Sequence, residues 1–424
     1  MRWQQLALAL LLALGPGAAH AQMRGHGGPV RALAVSPDGR RAVSGSFDTT
    51  IIRWSLVTDA AEQVLRFHEG AVNAVVLLRD GAIASAGEDR RIAIWPVGAD
   101  RPAKVLEGHE APIAGLAVSP DGGTLASASW DRTARVWPLI GGEPRVLRGH
   151  QDNVNGVAFL PDGRVVSAGY DATLRIWPSG DGSPLVVTLP SPLNAVASAP
   201  DDDIITAGAD GKVYVVGPDG ELRGAVGTQP TPIIALAVSD DGALIAAAGI
   251  RGSVAIVDRR TRTLLRTLVG PGLPVWSVAF LPGGQTLLTG GTDRVIRRWN
   301  ASTGDPIGSV ALGGADDPLA TYAGDHGAEV FRACVACHTL SADAGNRAGP
   351  TLKGLFGRRI ASVPGYNYSV PLKQLDIIWT PETVSKLFEL GPATYTPGTK
   401  MPEQRISSAD DREALVKFLQ KVTK

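Results

Sequence analysis

Cysteine is almost missing from this chain: only Cys334 and Cys337 occur among 424 residues. That excludes a fold stapled by several disulfides and a zinc site made of four thiolates. Methionine is nearly as scarce, with Met1, Met23 and Met401 as the full set. An excess of one charge is also absent. With 41 basic and 41 acidic residues the formal net charge is zero, so the chain has no footprint for nucleic acid and no polybasic patch for a membrane surface. Lysine is concentrated at the C-terminal end, Lys104 and Lys212 being the only ones before Lys353. After the first residues no apolar run has the length of a membrane span, and no glycine-rich nucleotide loop is visible.

What is present starts with a leader-like segment. Arg2 supplies a positive start, Leu6 to Leu14 an apolar stretch too short to span a bilayer, and Ala19-His20-Ala21 an A-x-A cleavage site. The expectation is a signal peptide over residues 1–21, cleaved before Gln22, and a periplasmic mature protein. An uncleaved anchor is the alternative.

Both cysteines fall in one pentapeptide, Cys334-Val335-Ala336-Cys337-His338, the C-x-x-C-H pattern of covalent haem attachment. The spacing lets two thiols add to the haem vinyl groups while the adjacent histidine reaches the iron. Downstream in the same segment, Pro397-Gly398-Thr399-Lys400-Met401-Pro402 carries the one methionine available for the opposite side. A His338/Met401 pair raises the reduction potential and leaves no open coordination position. The competing uses are a dithiol redox pair and half of a zinc site. Zinc wants more ligands than are near, since His326 is the only other histidine in the C-terminal region. In an oxidising compartment a free C-x-x-C would close as a disulfide, which favours one haem c held through Cys334 and Cys337.

Between leader and haem motif the chain repeats with a period of about forty residues, the spacing of propeller blades. The clearest copies end in Asp48…Trp54, Asp89…Trp95, Asp131…Trp137, Asp171…Trp177 and Asp293…Trp299. Two weaker copies keep phase, one with Asp210 and Val216, the other with Val257 and no equivalent Asp. Seven blades are therefore expected over residues 22–312. Each copy alternates as strands do and turns at sequences such as Ser36-Pro37-Asp38-Gly39. Asp201-Asp202-Asp203 occupies one of these turn positions and reads as a turn before it reads as a cation site. A blade alone cannot bury both faces; a closed ring can. Only about eight residues, Gln22 to Pro29, precede the first inner strand. The last blade is thus expected to use its own outer strand near Pro306 to Leu312, with no strand swapped in from the N-terminus. A linker at 313–325 starts at that seam, which places the C-terminal domain (326–424) beside the junction of blades seven and one.

These features resemble two families. The repeats, with Gly25-His26, Gly108-His109, Gly149-His150 and the variant Phe67-His68, resemble WD-repeat propellers. The resemblance implies buried hydrogen-bonded sets His26/Ser44/Asp48/Trp54, His68/Ser85/Asp89/Trp95, His109/Ser127/Asp131/Trp137 and His150/Ser167/Asp171/Trp177. These histidines are then structural rather than metal-binding, and blades five to seven, lacking the His, are expected to be looser or specialised. The C-terminal segment, with Gly349-Pro350-Thr351-Leu352, Gly357-Arg358, Pro364-Gly365-Tyr366-Asn367-Tyr368-Ser369, Trp379 and the loop to Met401, resembles class I cytochrome c. That resemblance implies a small all-α domain in which the Pro350 carbonyl orients His338. It also implies that Arg358, Tyr368, Trp379 and Thr399 hydrogen-bond or screen the haem propionates, and that Phe331 and Phe418 pack where the terminal helices cross. Phe388 stands where many relatives carry a tyrosine.

The expected whole is a multidomain chain, an all-β seven-bladed propeller followed by an all-α cytochrome domain. Its leading functional reading is a periplasmic electron carrier exchanging electrons with a redox donor and acceptor, such as a dehydrogenase and a terminal oxidase, while the propeller serves as a docking scaffold. The alternatives are a haem-linked redox sensor or interaction module, and a haem enzyme such as a peroxidase or reductase with its site in the propeller funnel. The last would need a second cofactor, for which the sequence offers no ligands.

Overall fold

The computed structural model describes residues 22–57, 59–270, 272–307, 319–322, 324–331, 334, 338–340, 349–366, 368–397, 399, 401, 406 and 408–424. The leader, most of the linker and Cys337 lie outside the described residues.

Seven four-stranded antiparallel sheets form the N-terminal region. Blade one, for example, runs Val30–Val35, Arg41–Ser46, Thr50–Ser55 and Ala60–Arg66 from centre to rim. Neighbouring inner strands touch all the way round, and that of blade seven, Val275–Phe280, packs against that of blade one. The sequence dictates each turn. In blade one the Asp48 carboxylate accepts the Thr50 amide at 2.9 Å, which closes an Asx turn and leaves Thr49 in the left-handed region at φ 69°. Arg90, Arg132, Ala172 and Arg294 hold the same conformation in other blades. Where blade six has no Asp, Gly252 takes this position.

The four inferred hydrogen-bonded sets are all present. His26 meets Asp48 at 3.0 Å and Ser44 at 2.6 Å, and Trp54 Nε1 donates to the same Ser44 hydroxyl at 2.8 Å. Blades two, three and four repeat this around Ser85, Ser127 and Ser167. Blades five to seven carry substitutes rather than gaps. The Tyr214 hydroxyl donates to Asp210 in blade five, Ser253 donates to Gln229 in blade six, and Trp299 donates to Thr289 in blade seven. Other side chains thus take over part of the hydrogen bonding that the missing histidines would supply. Asp201 to Asp203 do form a turn, tied by Arg223 and Arg259.

Ring closure departs from the expectation. Gln22–Arg24 forms a strand on the outer edge of blade seven, pairing Gln22 with Arg297, Met23 with Ile296 and Arg24 with Val295. Among the described residues, the chain's own return segment meets the remaining stretch of that edge through a Trp299–Pro306 bridge and an Ile307 amide bond to the Arg298 carbonyl. Three residues suffice because Met23 is buried between Val30, Trp54 and Ile296 across the seam. Hydrogen bonds as well as packing therefore hold blades seven and one together. The stretch expected to supply a full outer strand lies, from residue 308 on, outside the described residues.

The C-terminal region is helical: α1 (His326–Phe331), α2 (Val370–Gln374), α3 (Pro381–Leu390), α4 (Pro392–Tyr395) and α5 (Ala409–Val422). Ser408 caps α5 by accepting the Asp411 amide, and Asp410 and Asp411 sit in its positive first turn. α1 crosses α5 so closely that a Cβ on Gly327 would lie 2.2 Å from the Ala414 carbonyl oxygen. Phe331 and Phe418 meet there, centroids 5.5 Å apart. Leu319 and Tyr322, assigned to the linker from sequence, join this core, Tyr322 lying edge-on to Phe418 at 5.2 Å. Among the described residues no helix is long and apolar enough to cross a membrane.

Candidate haem site

A crevice of about 1290 Å³, including its solvent-open mouth, opens between α1, α3, α5 and the intervening loops. Cys334, His338, Pro350, Arg358, Tyr368, Trp379, Thr399 and Met401, drawn from 68 residues of chain, all line it. Cys337 falls outside the described residues.

The first turn after α1 brings Cys334 inward, its amide bonded to the Phe331 carbonyl at 2.7 Å, and the His338 amide returns to the Cys334 carbonyl at 3.0 Å. Burial pushes the Cys334 thiol up to about 12. His338 Nδ1 donates to the Pro350 carbonyl at 2.7 Å, which fixes the tautomer and leaves Nε2 for a metal. Burial pushes the His338 imidazole down, so the neutral, metal-binding form is favoured, and the Pro350 bond opposes this in part. Gly349 must be glycine, because a Cβ there would stand 2.4 Å from His338 Cε1.

The other wall is built on short-range bonds. Thr399 donates its amide to the Thr396 carbonyl at 3.0 Å and accepts the Met401 amide on its hydroxyl at 3.1 Å, which sets the turn that carries Met401 into the core. Arg358 donates to the carbonyls of Lys353 and Thr351 at 2.7 and 2.9 Å. Burial lowers its pKa and the nearby Tyr368 opposes this. Trp379 is locked to the Arg358 segment, its amide donating to the Arg358 carbonyl and its carbonyl accepting from Gly357, both at 2.9 Å. Tyr368 sits edge-on to Tyr366 with centroids 4.6 Å apart, and burial raises the Tyr368 phenol. His326 is exposed and bonded to Asp411 at 2.7 Å, outside the crevice. Met23 is in the propeller seam.

Asp48, a propeller residue, also lines the crevice; nothing in its repeat unit distinguishes it from Asp89 or Asp131. The steric demand at Gly349 likewise has no signal in the sequence beyond its place in the Gly349-Pro350 motif.

An apolar crevice lined by the Cys334 thiol, an oriented histidine and a thioether, with the C-x-x-C-H sequence at its edge, defines a haem-binding domain of the c type, here joined to a seven-bladed propeller. Comparison with known proteins agrees. The WD domain, G-beta repeat family matches residues 18–55, 61–96, 100–138, 141–178 and 262–300, passing over blades five and six, where the His and Trp are lost. The Cytochrome c family matches residues 324–423. Cytochrome c of Cochliobolus lunatus is 44% identical over 99 residues, covering 23% of this chain and 91% of that protein. Cytochrome c of Arabidopsis thaliana is 44% identical over 99 residues, 23% and 88%. Cytochrome c type-1 of Ascaris suum is 41% identical over 103 residues, 24% and 88%. By its C-terminal domain the chain belongs to the cytochrome c family, as a fusion to WD repeats. It is an electron-transfer haem protein that binds a single covalent haem c.

Proposed function

We propose that this protein is a periplasmic one-electron carrier whose haem is attached through Cys334 and Cys337 and ligated by His338 and Met401. The observation that carries this reading is that His338, oriented by Pro350, and Met401 line one apolar crevice. The haem supplies the one-electron couple. The chain's part is to hold two strong-field ligands in place, to exclude water with Phe331, Leu387 and Phe388, and to offset propionate charge with Arg358 and the polar groups of Tyr368, Trp379 and Thr399. A filled sixth position suits outer-sphere transfer and disfavours turnover of peroxide or another small substrate at the iron. The propeller acts as the docking scaffold for a redox donor and acceptor, a dehydrogenase and a terminal oxidase being the classes that fit. The leader-like residues 1–21 support export.

Stopped-flow mixing of the ferrous holoprotein with a ferric cytochrome of higher potential should give fast second-order oxidation without added peroxide. Catalytic peroxide consumption at rates above that exchange would overturn the carrier reading in favour of a haem enzyme.

A further inference from the structure

Two separate stretches of chain share one edge of the propeller. The outer edge of Val295–Asn300 in blade seven receives Gln22, Met23 and Arg24 opposite Arg297, Ile296 and Val295. The next two positions of that edge are taken by the return segment. Ile307 donates its amide to the Arg298 carbonyl at 3.0 Å, and Pro306 bridges to Trp299. Both pairings are antiparallel, so the stretches run head to tail along the edge. An antiparallel register advances residue for residue. Continued upstream, the N-terminal strand would set Ala21 against Arg298 and His20 against Trp299, the positions that Ile307 and Pro306 hold. The edge accommodates the chain from Gln22 onward and no earlier residue.

That limit coincides with a chemical feature of the sequence. Ala19-His20-Ala21 is the A-x-A cleavage signal of the leader, and the bond it marks is Ala21–Gln22. Hydrolysis of this bond consumes one water and leaves a carboxylate on Ala21 and an amino group on Gln22. The strand cannot slide to make way for residues before it. A slip of one would turn Met23 out of its pocket between Val30, Trp54 and Ile296. A slip of two would draw His26 off the Asp48 carboxylate, which it meets at 3.0 Å, because only Gly25 separates it from the strand. Gly25 is itself hemmed in, since a Cβ there would stand 3.0 Å from Trp54 Cη2.

We infer that hydrolysis of Ala21–Gln22 by a leader peptidase is the step that completes the propeller ring. In the unprocessed chain the leader and the Pro306–Ile307 return compete for Arg298 and Trp299; after cleavage both stretches seat. The inference goes beyond electron transfer and rests on the export proposed above. It makes processing a control on the blade 7/1 seam, where the connection to the haem domain begins.

The test compares two holoproteins, one beginning at Gln22 and one retaining residues 19–21, each with Ile307 and with Ile307→Pro, which removes the amide at issue. Hydrogen exchange reads the Ile307 amide, urea midpoints are measured on all four proteins, and mass spectrometry reads the amino terminus of the exported wild type. The wild type should begin at Gln22. With the extension, the Ile307 amide should exchange roughly tenfold faster, as loss of about one net hydrogen bond would give, and the urea midpoint should fall. On Ile307→Pro the same extension should leave the midpoint unchanged, because the competitor is gone. Equal exchange at Ile307, or an equal fall of midpoint in both backgrounds, overturns the proposal and leaves export in place. Should the extended chain not fold with Ile307, the Ile307→Pro background decides: folding there supports the competition, and failure there overturns it. An exported wild type that keeps its leader removes the cleavage reading, and this proposal with it.

Discussion

At the scale of single residues, the haem site depends on very few atoms. Met401→Ala removes the thioether but neither cysteine, so the variant should keep haem through denaturing electrophoresis while its spectrum changes from low-spin to high-spin. A wild-type spectrum in that variant would show that another group ligates the iron. Gly349→Ala makes a subtler point. A methyl 2.4 Å from His338 Cε1 cannot be tolerated without moving either the ring or the Pro350 carbonyl that orients it. The expected outcome is a weakened iron–histidine bond, read as a mixed-spin ferric spectrum; an unaltered spectrum would mean the loop yields instead. That Cys334, His338 and Met401 share one crevice was legible in sequence because covalent attachment demands a fixed spacing and because methionine is so rare. The demand at Gly349 was not, since it arises from a close approach between the loop and a ring eleven residues earlier.

At the scale of elements, blade number and turn positions were readable from the repeats, because each Asp closes its own turn with the residue two places on. Ring closure was not readable. Gln22–Arg24 has no strand signal of its own, and it is a strand only because the edge of Val295–Asn300 offers unpaired backbone groups and a pocket for Met23. Met23→Ala should therefore destabilise the propeller by about 2–5 kcal/mol, as other buried large-to-small changes do, measured by urea unfolding followed through tryptophan fluorescence. A loss below ~0.5 kcal/mol, typical of surface changes, would argue against the swapped strand. Asp48 makes the propeller acid-sensitive in a defined window. Burial alone would raise its pKa, but His26 and Thr50 hold it near 2 against an ordinary 3.8. Between those values the unfolded chain binds more protons than the folded one, so the stabilisation is whole above about pH 4 and is lost as pH falls toward 2, on the order of 2 kcal/mol for this group. Urea midpoints measured from pH 5 to 2 should fall less steeply in Asp48→Asn than in the wild type, and parallel slopes would contradict the assignment.

At the scale of the whole molecule, two architectures that are each legible by themselves meet in a way that no single repeat or motif announces. The short connection from the seam limits where the haem domain can sit, but which residues meet there follows from surface complementarity between Arg66 and Tyr366 and between the blade turns and the crevice mouth. The three cytochromes compared above match the C-terminal quarter of the chain, and the propeller's contribution is read on the full chain. The haem proposed here would be held by His338 and Met401, built to pass electrons and not to bind substrate. Its most direct test is exposure of the reduced holoprotein to carbon monoxide at neutral pH, followed by absorbance, with Met401→Ala as the positive control. No change is expected in the wild-type spectrum, and rapid complex formation is expected in the variant. Stoichiometric carbon monoxide binding by the wild type would contradict it, because it would reveal an open sixth position suited to sensing or catalysis.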